Sequence, residues 1–139
     1  MTALVRRWNR PVPQWTPPLD STALTRVLER VRAWQVYDGG AVLDDVAAVL
    51  DEVMPAEERF EELAQRLCGH LMQLVNIAVA AEAEEDDAAA YLMERARLVR
   101  AEELPGDRWK AVGHLRRMGW TVNELMEHLV ATRCLKEAA

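Results

Sequence analysis

The 139-residue sequence holds one Phe, two Tyr, two Cys and a single isoleucine, Ile77. Its apolar half is built mostly from Ala, Leu and Val, a mixture that favours helix over sheet when taken across whole windows. A domain of this length can bury a core without disulfide staples, so no disulfide framework is required of the two cysteines, Cys68 and Cys134. Both lie in helical patterns among apolar neighbours and read as small buried hydrophobes of a reducing compartment. No apolar run is long enough to cross a bilayer, for which about 18 residues are needed. The start, MTALVRRWNRPVPQW, has charge but no apolar stretch of the kind a secretory signal needs, so the expected location is the cytoplasm. With 50% apolar residues the chain is too hydrophobic to be disordered, and its length suits one ordinary domain.

The charge is unevenly spread. The formal net charge is −6. Residues 1–19 carry +3 from Arg6, Arg7 and Arg10, residues 20–104 carry −11, and residues 105–139 carry +2. This division reads first as internal complementarity and second as a basic surface for an anionic partner. A pI near 5.1 argues against non-specific affinity for nucleic acid, which needs a clustered basic footprint.

Pro11, Pro13, Pro17 and Pro18 mark residues 1–19 as an extended arm containing Trp8 and Trp15. Residues 20–139 form the expected single helical domain. Asp20 or Ser21 caps a first helix over about 21–35, with Leu24, Val27, Leu28, Val31 and Trp34 at helical spacing and Trp34 in the core. Asp38-Gly39-Gly40 is expected to stop it. Val42, Val46, Val49, Leu50 and Val53 predict a second helix ending before Pro55, and Pro55 suits the first turn of the third. Glu57, Glu58, Glu61 and Glu62 sit where the positive end of a helix dipole favours carboxylates. Phe60, Leu63, Leu67, Leu71, Leu74, Ala78 and Ala81 continue the stripe, and the run Leu71 to Ala81 suggests burial on more than one side. Asp86 or Asp87 caps a fourth helix carrying Leu92, Ala96 and Val99, and Leu104-Pro105-Gly106-Asp107 forms a turn. Beyond it Ala111, Leu115, Met118, Val122, Leu125, Leu129 and Thr132 predict one helix of about 30 residues. The expected fold is an all-α bundle of about five helices with a long C-terminal helix and a Pro/Trp-containing arm.

Three chemical readings are open. Glu57-Glu58-x-x-Glu61 with Glu84-x-x-Asp87 fits the letter pattern of the all-α nucleotide pyrophosphatases of the MazG type, whose acids hold Mg²⁺. Here the clusters are expected about 40 Å apart at opposite ends of the third helix, where they cannot converge. His70, His114 and His128 lack the spacing of helical metal ligands and read as surface or boundary residues; no metal and no cofactor is expected. Leu115 to His128, with Gly119 at the turn, Thr121 as cap and Glu124 three residues on, reads as a helix-turn-helix within 111–130, with Arg116, Arg117 and Asn123 as nucleic-acid contacts. Glu124 and Glu127 on its recognition helix oppose that reading, and an uninterrupted helix through Gly119 competes with it. The remaining candidates are aromatic: Trp8, Trp15, Trp109 and Trp120, which can anchor a protein partner or a second copy of the chain.

The runs Trp15 to Asp20, Leu67 to Val79 and Met118 to Leu129 resemble a family of small actinobacterial proteins of unknown function, labelled loosely as natural-product biosynthesis proteins. The resemblance implies a cytoplasmic helical accessory protein without catalytic residues. Members of that family often replace the Gly-Trp-Thr element with helix formers, which implies a continuous C-terminal helix. The expected function is therefore non-catalytic and works through protein contact, with no membrane association. A DNA-binding regulator is the first alternative and a nucleotide pyrophosphatase the second.

Overall fold

The computed structural model describes residues 20–33 and 37–135, all-α with five helices. The arm with Trp8 and Trp15, and Trp34, lie outside the described residues. The chain divides into two units between Val36 and Tyr37. The first contains α1 (Ser21–Ala33), opened by Asp20, whose Oδ1 accepts the Ala23 N–H at 2.7 Å. Leu24, Val27 and Leu28 on α1 are exposed.

The second unit contains α2 (Gly39–Leu50), α3 (Phe60–Ala80), α4 (Asp87–Ala101) and α5 (Arg108–Ala131). Asp38-Gly39-Gly40, expected as a stop, is the start of α2: the Asp38 side chain accepts the Ala41 N–H, satisfying a donor that has no intrahelical partner. α2 ends at Leu50 because Asp51 turns extended, leaving Val53 outside the helix and 79% exposed. Nor does Pro55 stand in the first turn of the third helix. Ala56 is extended, Glu57–Arg59 form a short 3-10 turn, and α3 begins at Phe60. Its apolar stripe is buried as expected from Phe60 to Ala78, but Met72 and Val79 are exposed, so the run Leu71 to Ala81 is buried on one face only. Glu82 in the left-handed conformation follows α3. Asp86 then caps α4 through the Ala88 N–H.

α5 runs without a break through Gly119. It stops at Ala131, short of the expected length. Arg133 adopts φ 61°, and the N–H groups of Arg133 and Cys134 turn back to the carbonyls of Val130 and Leu129. This is the Schellman arrangement, which satisfies carbonyls that a continuing helix would have used. α5 packs against α2, α3 and α4 and carries eleven buried residues, including all of Ala111, Leu115, Met118, Val122, Leu125 and Leu129. Together with Val42, Val46 and Val49 of α2, the α3 stripe, and Met93 and Ala96 of α4, they form one core.

Gly119 sets the separation of α2 and α5. A Cβ at that position would lie 2.5 Å from Val49 Cγ2, and Val49 is fully buried with a stiff branched side chain. Gly113 on the same helix meets nothing within 4 Å. Gly113→Ala is therefore expected to raise stability by about 1 kcal/mol through helix propensity. Gly119→Ala is expected to lower it, because overpacking costs about 1–3 kcal/mol against the same gain. Urea unfolding of the two variants checks the opposite signs.

Candidate functional site

Trp109 and Trp120 lie eleven residues apart on α5, about three full turns, and so project on the same side. That side also presents Gly113, Arg116, Asn123 and Glu127, all at helical spacing from Trp109, and faces away from the arc of α5 that enters the core. Trp109 is 77% and Trp120 53% exposed. The Arg108 guanidinium lies 5.7 Å from the Trp109 ring centroid, a cation–π contact.

The helix-turn-helix expected within 111–130 is not formed. Thr121 is not a cap but a buried residue inside α5, where its Oγ1 donates to the Arg117 carbonyl at 2.7 Å, and Gly119 is helical because α2 packs on it. Of the residues assigned to nucleic acid, Arg116 donates to the Asp51 carbonyl, Arg117 pairs with Glu102 and Asn123 is half-buried. Glu124 pairs with Arg95 at 2.7 Å. The acidic clusters lie at opposite ends of α3, Glu57 and Glu58 just before it with Glu61 in its first turn and Glu84 to Asp87 after it, and its 21 residues span about 30 Å. Among the described residues no group of three or more His, Cys, Asp or Glu could hold a metal ion.

The three histidines have distinct settings. His70 Nε2 lies 2.6 Å from Asp45 Oδ2, which also receives Arg66 Nε at 3.0 Å. Asp45 is buried within the α2 stripe, so this pair of contacts on one oxygen fastens α2 to α3. His128 Nε2 lies 2.5 Å from Asp86 Oδ2, joining the last turn of α5 to the residue that caps α4. The hydrogen bond from His128 holds the Asp86 carboxyl below its ordinary value.

His114, expected at the surface or boundary, is 2% exposed. Its Nδ1 is buried with no hydrogen-bond partner, lying 3.4 Å from Glu102 Oε2 without hydrogen-bond geometry. Burial pushes the His114 pKa down from 6.5, against the opposing pull of Glu102 and with the help of Arg117. His114 lines a cavity of about 340 Å³, within the size range of small-molecule sites. α3 supplies Glu61, Ala64, Gln65 and Cys68 to the wall at spacings of three and four, the connection after α4 supplies Glu102 and Leu104, and α5 supplies His114 and Met118. Cys68 is half-buried, and burial raises its thiol pKa against the influence of Arg100. A thiol held protonated in this way is a poor nucleophile. The cavity was missed in the sequence because its polar members belong to three separate segments. One signal was present: His114 falls on the core-facing arc of α5, between the positions of Leu125 and Thr121.

Residues 40–134 match a family of unknown function (DUF6415). The matched span begins in the first turn of α2 and ends in the turn that closes α5, so it contains the tryptophan face, the Asp45 contacts and the cavity. No curated protein and no solved structure matches the chain significantly.

The His114 pKa has a consequence for stability. Glu102 and Arg117 beside the ring, and Glu61 and Cys68 across the cavity, are the other ionisable groups around it. Because the folded protein holds the ring neutral below 6.5, the unfolded chain takes up the proton first as pH falls. Stability is thus present at neutral pH and is lost as the pH drops below 6.5 towards the folded value. The urea midpoint is expected to fall between about pH 7 and about pH 5.5, and His114→Gln to make that fall shallower.

Proposed function

The chain belongs to the DUF6415 family of unknown function, and we propose that it is a non-catalytic helical accessory protein acting through protein–protein contact, first with a second copy of itself. The exposed pair Trp109 and Trp120 carries this reading. Tryptophans on the side of a helix opposite its core take no part in that core, and aromatic side chains of this size are the usual anchors of interfaces.

The order of residues on that face favours a second copy. If two α5 helices cross antiparallel about a two-fold axis between Arg116 and Trp120, Arg116 of each faces Trp120 of the other, Gly113 faces Asn123, and Trp109 faces Glu127. Guanidinium meets indole, an open glycine meets a polar side chain, and the basic start with Arg108 and Lys110 meets the acidic far end with Glu127. A self-complementary patch of this kind closes as a dimer rather than a filament. The free thiols Cys68 and Cys134 suit the reducing interior of a cell, and the natural-product or regulatory setting implied by the actinobacterial resemblance suits a protein that organises others.

Sedimentation equilibrium of the full chain is expected to show a dimer at micromolar concentration. Trp109→Ala and Trp120→Ala are each expected to raise its dissociation constant by at least about tenfold while leaving the helical circular dichroism unchanged. A chain that stays monomeric at about 100 µM, or a dimer indifferent to both variants, overturns the self-association. In the first case, affinity capture that depends on Trp109 and Trp120 points to a different protein on the same face.

A further inference from the structure

We propose that the cavity between α3 and α5 binds a small organic amine, its ammonium held between Glu102 and His114, with the Glu61 carboxylate adding negative charge from the α3 wall, and its apolar body resting on Leu104 and Met118. The reading is independent of the dimer, since the tryptophans lie on the other side of α5.

The unsatisfied atom directs the choice of ligand. A buried nitrogen with no donor or acceptor to meet it carries an uncompensated desolvation cost, and His114 Nδ1 is such an atom. His114 Nδ1 and Glu102 Oε2 stand 3.4 Å apart. A carboxylate oxygen only accepts, and Nδ1 accepts as well when the ring hydrogen is on Nε2. Two acceptors at that separation repel unless a donor comes between them, and a primary ammonium brings three N–H groups to one point. Arg117 Nη2, 3.2 Å from the same Glu102 oxygen, holds the carboxylate in place from outside the cavity.

The rest of the wall agrees. Glu61 has no ion-pair partner among the described residues, and no Lys or Arg lines the cavity, so an anion would meet the free Glu61 carboxylate and a Glu102 carboxylate whose cationic partner lies outside the wall. A metal ion is disfavoured because the cavity's Cys, His and Glu side chains do not converge to ligand distances. Leu104 and Met118 make an apolar floor, with Met118 able to adapt to the shape of a hydrocarbon body.

The test titrates the ¹⁵N-labelled full chain with butylamine, hexylamine and 2-phenylethylamine near neutral pH, with 2-phenylethanol as the uncharged match. Amide shifts at Ala64, Cys68, Glu102 and His114 and the His114 ring nitrogens are followed. At least one amine is expected to saturate these shifts and to move the His114 Nδ1 resonance, while the alcohol binds at least about tenfold more weakly. Glu102→Gln and Glu61→Gln are each expected to raise the amine dissociation constant by about tenfold or more. Glu61 is exposed, so Glu61→Gln decides the matter if Glu102→Gln loses structure. No saturation by any of the three amines at millimolar concentration, equal binding of the alcohol, or undiminished affinity in Glu61→Gln overturns the proposal.

Discussion

The approach of α2 to α5 at Gly119 is the contact on which the bundle is built. Val49 Cγ2 occupies the space where any other residue would place its Cβ. With the two backbones this close, Val42, Val46 and Val49 reach the core of α5, and the Asp45 carboxylate between them is carried to Arg66 and His70 on α3. A buried carboxylate is tolerable only with such partners, so the polar contact depends on the apolar one that delivers it. The same contact explains why Gly119 is helical. A glycine that could have opened a turn is clasped by the side chains of Val49 and Leu50.

α5 is consequently asked to do three things along one axis. One arc enters the core, and at its margin His114 and Met118 form part of the cavity wall. The opposite side carries the tryptophans. A straight helix keeps these assignments separate because residues two apart point to nearly opposite sides, as His114 and Arg116 do, or Met118 and Trp120. Had the segment folded as a helix-turn-helix, Trp120 would sit in the turn after the helix that carries Trp109, and no single face would hold both.

Most of the helical pattern was legible because alternating steps of three and four have one structural meaning. The seam of α5 and the stripe of α3 are the clearest cases, every residue from Ala111 to Leu129 in the seam being buried. Boundaries were less legible. Asp38-Gly39-Gly40 has the same letters whether it ends one helix or begins the next, and only the hydrogen bond from Ala41 to Asp38 distinguishes them. Thr121 has the side chain of a cap but uses it on the carbonyl four residues back. The polar interior was hidden for a different reason. Asp45 and His114 both sit at apolar helical spacing, three residues after Val42 and Ala111 respectively, and a stripe read for its hydrophobes passes over them. Their partners, Arg66, His70 and Glu102, come from other segments, and only folding brings them together. The outward tryptophans of α5 were legible as candidates because nothing in the seam had a place for them.

The chain order of the bundle also bears on how it is made. α5 holds the largest set of buried residues among the described helices and packs against all three others of its unit, yet it follows them in sequence. During synthesis α2, α3 and α4 leave the ribosome with Val49, Leu67, Leu71 and Met93 still waiting for their counterpart. Those faces remain open to chaperones, or to each other, until α5 emerges, so completion of the core waits on the last of these four helices and is nearly all-or-none.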